Sequence, residues 1–215
     1  MSLRAIWGVF AVLMALAACA PTASARYILS DTIQREDFDA GYVWEDRINR
    51  ADGVEFRVED GTYRARTIQT GFVAALNAQT HTDVVIEVET TQLSDFRNNA
   101  YGILCRADPS NNGNGYYFLI SGDGYFSLRR GVAERVESLI EWTRARAINQ
   151  DRGINRLRAV CIGDYLALYI NGTFVGEARD SRYASGFAGL TAAVAEGGQA
   201  DISFDDLTIW SARVE

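Results

Sequence analysis

The sequence predicts an all-β fold, a sandwich of two packed sheets, and three observations carry that prediction. From about residue 27 onward, short runs of alternating apolar and polar residues recur about every ten positions, each bounded by turn-forming residues. Several of those boundaries have hairpin chemistry, above all Asn171-Gly172, two residues that tolerate the positive φ of a tight hairpin. No βα alternation and no internal repeat interrupts the series, so packing two sheets face to face is the way to bury so many half-apolar strands. The 215 residues are 48% hydrophobic and 23% charged, enough for one domain with a proper core and too polar for a multispan membrane protein.

In chain order, the first element is an export signal. Arg4 precedes an apolar stretch over residues 5–18, about 14 residues long, where a bilayer span needs about 20. That length suits the apolar region of a secretory signal. The stretch ends in Leu16-Ala17-Ala18-Cys19, which resembles the lipobox of bacterial lipoproteins. The resemblance implies lipidation at Cys19 and a membrane anchor made of acyl chains, with the protein on the cell surface or facing the periplasm. An ordinary cleaved signal, cut near Ala23-Ser24-Ala25, is the alternative. The organisation expected is a signal over 1–18, a lipidated cysteine and tether over 19–26, and a sandwich domain over 27–215.

The strands follow. Val84-Val-Ile-Glu-Val-Glu-Thr90 alternates with period two, and Tyr116-Tyr-Phe-Leu-Ile-Ser121 and Tyr125-Phe-Ser-Leu-Arg129 flank a Gly122-Asp123-Gly124 turn. Tyr165-Leu-Ala-Leu-Tyr-Ile170 and Thr173-Phe-Val-Gly176 flank Asn171-Gly172, and the runs at 186–192 and 202–209 complete the set. Helical periodicity is weak and confined to 132–140, read as a short helix or an irregular strand. Cys105 and Cys161 both sit in strand-like runs. An even pair of cysteines in an exported chain predicts a disulfide, and two separately buried thiols are the alternative.

These segments resemble the concanavalin A-like, laminin G-like jelly roll, and within it the 3-keto-disaccharide hydrolase-like family. The resemblance rests on Asp37-Phe38, Trp44, Val58-Glu-Asp-Gly-Thr-Tyr63, Tyr101-Gly-Ile-Leu-Cys-Arg106, Gly115-Tyr-Tyr-Phe118, Trp142, Asn155-Arg-Leu-Arg158, Leu168-Tyr-Ile-Asn-Gly172, Gly186-Phe-Ala-Gly-Leu190 and Phe204-Asp-Asp-Leu207. It covers nearly all of the mature chain, yet its motifs are turn glycines and core aromatics. It therefore implies a fold and leaves activity open.

Composition narrows the chemistry. The formal net charge of −7 argues against a nucleic-acid partner. Lysine is absent, which excludes a lysine nucleophile, and the single histidine, His81, sits in a polar turn where a surface role is expected. Glu87 and Glu89 share a strand face, as a glycosidase's nucleophile and acid must. The run lacks the third acid of the laminarinase-type cluster, so a solvated face is the expectation. Asp108 opens a loop resembling half of a calcium site, and Asp205 with Asp206 lies where jelly rolls of this type often hold a structural calcium; an ordinary loop and strand edge are the alternatives. The expected ligand face is the outer surface carrying Arg106, Tyr117, Tyr125 and Arg129, whose rings and guanidinium groups suit a carbohydrate or another cell-envelope polymer. A solvated face of Tyr–Arg pairs would look the same. Trp44, Trp142 and Trp210 are expected in core or rim packing. The function expected is carbohydrate binding without catalysis; the alternatives are glycoside cleavage and a structural or adhesive, protein-binding role.

Overall fold

The computed structural model describes residues 21–39, 44–133 and 135–215. Cys19 and the signal lie outside them. The strands are β1 (Tyr27–Glu36), β2 (Arg47–Asn49), β3 (Val54–Glu59), β4 (Thr62–Thr67), β5 (Val73–His81), β6 (Val84–Gln92), β7 (Asn99–Ala107) and β8 (Gly115–Ile120). They continue as β9 (Tyr125–Val132), β10 (Arg135–Arg144), β11 (Asn155–Ile162), β12 (Tyr165–Ile170), β13 (Thr173–Arg179), β14 (Gly186–Val194) and β15 (Ala200–Val214). No helix occurs among the described residues.

The strands form two antiparallel sheets, a jelly-roll sandwich. The large sheet runs β13-β12-β11-β6-β15-β4-β3-β2, with β1 added along β15; the small sheet runs β10-β9-β8-β7-β14-β5. Alternation places the core between them. Phe56, Tyr63, Ile86, Val88, Leu168 and Phe204 point inward from the large sheet and meet Tyr101, Ile103, Tyr116, Phe118 and Leu190 from the small one. The Cys105–Cys161 disulfide joins β7 to β11 and so ties one sheet to the other. Asn171 and Gly172 have φ of +52° and +76°, the values their hairpin requires.

Three irregularities position the rest. On β7, Leu104 pairs Gly189 and Ala107 pairs Phe187, so β7 carries one extra residue and Arg106 takes φ +52°. Gly186 lies against this bulge, where an added Cβ would sit 2.4 Å from the Ala107 carbonyl oxygen. On β15 a bulge at Asp205–Asp206 marks the point where its neighbour changes from β4 to β1. Strand β10 carries extra residues between Ser138 and Ile140 and between Ile140 and Thr143. Those insertions break the period of two, which is why 132–140 looks faintly helical in sequence and is the irregular strand of the two readings.

The outer face of the large sheet carries a ladder of ion pairs beside an apolar patch around Val85, Val160 and Tyr165. Arg64 reaches Asp201 at 2.6 Å, Arg66 reaches Glu59 at 2.6 Å, and Arg158 reaches Glu87 at 2.6 Å, with Arg156 on Glu89. Glu87 and Glu89 thus lie on an outer face, as expected, and are committed to arginines. His81 departs from its expectation. It is buried, and its Nε2 accepts a hydrogen bond from Asn77 Nδ2 at 2.8 Å, while the same amide reaches Gln34 Oε1 at 2.9 Å. An Nε2 that accepts is unprotonated, and burial lowers the pKa of the ring.

Candidate functional site

The outer face of the small sheet differs in kind from the ladder. Ala74, Leu76, Ala100, Leu104, Tyr117, Leu119 and Ala193 form a second apolar cluster there, with Phe72, Val136 and Trp142 packed onto it. Two cavities open over this surface on either side of Phe72. One, about 420 Å³, is lined by Asp123, Tyr125, Arg129 and Trp142 together with Asn98, Asn99 and Ser121. The other, about 510 Å³, lies over Tyr117 and Val136 beneath the loop that carries Asn111, Asn112 and Gly113.

The first cavity is built from a hairpin and its irregular neighbour. Phe126 and Leu128 of β9 enter the core, so Tyr125, Ser127 and Arg129 point outward. Asp123 sits in the turn before them and accepts a hydrogen bond from the Ser121 hydroxyl. The extra residue of β10 beside Thr143 brings Trp142 over Arg129, with the guanidinium carbon 5.3 Å from the ring centroid. Arg129 Nε donates to Ser127 Oγ at 3.0 Å, and its nearest carboxylate among the described residues is Glu141 at 3.9 Å. Burial lowers the pKa of this guanidinium, and Glu141 offsets part of the effect. Arg144 stacks over Tyr125 at 6.0 Å on the same side. The arrangement offers aromatic faces, a planar donor fork and a carboxylate acceptor within one concave surface.

Tyr125 and Arg129 therefore stand together as the sequence predicted. Arg106 and Tyr117 do not join them. Arg106 is 2% exposed. Its bulge breaks the alternation that would have turned it outward, and the guanidinium donates to the carbonyls of Thr82, Gly163 and Tyr183 at 2.7–2.9 Å and to Asp83 at 3.1 Å. It clamps three loops at one end of the sandwich. Tyr117 does face away from the main core, yet Phe72 covers it at a ring separation of 5.2 Å and it is 2% exposed. Its hydroxyl donates to the Gly113 carbonyl at 2.7 Å, and burial pushes the phenol up to about 12.

The two calcium candidates lie far apart in the fold. Asp108 Oδ1 accepts from Ser110 N at 2.9 Å and from Ser110 Oγ at 2.6 Å, closing its own turn. Asp205 occupies the β15 bulge, where its Oδ1 accepts from Asp206 N at 2.7 Å. Burial holds the Asp205 carboxyl above its usual range, and the charges of Asp206, Glu89 and Asp39 add to that. Neither belongs, among the described residues, to a group of three or more side chains suited to a metal ion. Trp44 and Trp210 pack as expected, in the core and at the edge of the large sheet's outer apolar patch.

Sequence reasoning missed Phe72, Asn98 and the place of Trp142 in the lining of the first cavity. Alternation along β9 was signal enough for Tyr125 and Arg129. Nothing in the sequence places residue 72 over β8, and the bulges of β10 conceal the direction of residue 142.

No protein family and no curated protein matches the sequence. Solved structures do. A carbohydrate-binding module, CBM66, from Bacillus subtilis superposes with a TM-score of 0.64 at 18% identity, covering 79% of this chain and 96% of that one. A Bacillus subtilis protein of unknown function with a galectin-like fold gives 0.60 at 14% identity, covering 87% and 99%. The β-glucanase of Bacillus licheniformis gives 0.58 at 10% identity, covering 89% and 99%. At these identities the likeness establishes a galectin-like, concanavalin-like β-sandwich.

Proposed function

We propose that this chain is an exported module, anchored through a lipid on Cys19, that binds carbohydrate in the Trp142 cavity without cleaving it. The observation that carries the reading is the convergence of Trp142, Tyr125, Arg129 and Asp123 on one concave surface of about 420 Å³. Sugar rings present C–H patches that stack on aromatic faces, while their hydroxyls pair with a guanidinium fork and a carboxylate. Folds of this kind include a carbohydrate-binding module and a glucanase, which supports the substrate class. The glycoside-cleaving alternative of the 3-keto-disaccharide hydrolase kind needs two carboxylates facing one bond. Among the described residues lining this cavity, Asp123 is the one carboxylate. Glu87 lies on the other sheet, and Asp108 is held in its own turn.

A glycan array probed with the purified protein tests the reading. Saturable binding is expected, lost at least tenfold in W142A (on the order of one stacked ring) in a protein that still unfolds cooperatively. A protein that binds no glycan, or W142A binding like the parent, would contradict it. The anchor is tested separately: Cys19→Ser should move the protein from the membrane fraction to the soluble one.

A further inference from the structure

We infer that the ligand of the Trp142 cavity carries a carboxylate, a sugar-acid unit seated on the Arg129 guanidinium. The inference rests on the carbohydrate-binding reading above and names the chemistry of that ligand.

The argument starts from how this chain treats its other arginines. Arg64, Arg66, Arg130 and Arg158 each hold a carboxylate at 2.6 Å, with side chains 23–37% exposed. Arg106, almost fully buried, is saturated by three carbonyls and Asp83. Arg129 is also deeply set, at 16% side-chain exposure, yet among the described residues its nearest carboxylate is 3.9 Å away on Glu141, itself 82% exposed. Its Nε is used by Ser127, and its two terminal nitrogens make no hydrogen bond to another described residue. A guanidinium withdrawn from water and held only by a distant, exposed carboxylate is costly unless something supplies a closer counter-charge. The Trp142 face compensates in part and holds the fork in place. Arg129 lines the cavity, and its two terminal nitrogens are the donors left to serve a ligand there. Two parallel N–H groups of a planar fork match the two oxygens of a carboxylate.

Charge along the cavity limits how acidic the ligand is. Tyr125 and Arg129 are four positions apart, about 13 Å of strand, and Asp123 lies beyond Tyr125 in the turn. The cavity has a basic end and an acidic end. One acid unit on Arg129, followed by neutral units whose hydroxyls reach Asp123, fits both. A polyanion would meet Asp123 and a chain of net charge −7.

The test is a glycan array carrying uronic-acid, muramyl and neutral oligosaccharides, probed before and after chemical reduction of every carboxyl group to an alcohol. Reduction should lower the signal on acid-bearing spots about tenfold, the scale of a charge-assisted hydrogen-bond pair, and leave neutral spots unchanged. The spots affected tell a uronic acid from the lactyl acid of muramic acid. Arg129→Gln should erase the difference. Glu141→Gln, at an exposed position that leaves folding intact, should strengthen acid binding by removing the competing carboxylate. Equal signals before and after reduction, with glycans still bound, would overturn the inference and leave the carbohydrate reading standing. No glycan bound on either array would overturn both.

Discussion

The two outer faces of this sandwich use arginine in opposite ways. On the large sheet, Arg64, Arg66, Arg156 and Arg158 alternate with Glu59, Glu87, Glu89 and Asp201, and each charge is answered by a neighbour on the next strand. On the small sheet the surface is apolar and aromatic, Phe72 and Trp142 overhang it, and among the described residues Arg129 meets an acid no closer than Glu141 at 3.9 Å. Both faces look like polar–apolar alternation along a strand. What distinguishes them is completion: the ladder satisfies itself, while on the small sheet a donor set is left open beside a cavity, the feature on which the proposed binding site rests.

The largest effect expected from breaking this contrast is at Arg106. Arg106→Met removes the buried cation that ties together three loop carbonyls and Asp83 and should cost about 3–5 kcal/mol in urea unfolding, whereas Arg129→Gln should change stability by less than about 1 kcal/mol. Equal losses would mean that Arg129 is also a structural clamp. A smaller effect, about 1 kcal/mol, is expected for Arg66→Met, since its partners are half-exposed and Arg64 remains to hold Glu59.

Acid should act on the ladder first. The hydrogen bond from Arg66, aided by Arg57 and the charges of Arg66 and Arg64, lowers the Glu59 pKa from 4.5 to about 2. A folded pKa below the unfolded one means that the contribution of Glu59 is complete above about pH 4.5 and lost as pH falls toward 2. Glu59→Gln should therefore flatten the dependence of unfolding midpoint on pH within that window; an unchanged slope would show that Glu59 is not part of a working network. The smallest effect concerns metal. Because Asp108 is spent on its own turn and Asp205 on its bulge, EDTA should leave the melting temperature unaltered, and a drop reversed by calcium would contradict that.

Much of the fold was legible in the sequence because alternation with period two and hairpin chemistry are local properties. Val84-Val-Ile-Glu-Val-Glu-Thr90, the Asn171-Gly172 turn and the cysteine pair all sit where those rules put them. The site was half legible for the same reason. Tyr125 and Arg129 obey the alternation of β9, but Arg106 sits on a bulge, and one inserted residue moves a side chain from a face to an edge. Tyr117 points to the expected side and is hidden by Phe72, a contact between residues 45 apart in sequence that no local pattern encodes. His81 failed similarly, since its burial depends on Asn77 and Gln34, with Gln34 coming from the far end of the chain.

The most direct test of the central claim is to compare the two faces in one binding experiment. The parent protein, Trp142→Ala on the small sheet and Arg156→Gln on the large sheet are applied in parallel to the same glycan array. The account predicts that Trp142→Ala loses the signal and Arg156→Gln retains it, with all three proteins melting cooperatively. Retention by Trp142→Ala together with loss in Arg156→Gln would place recognition on the ladder face and contradict the account.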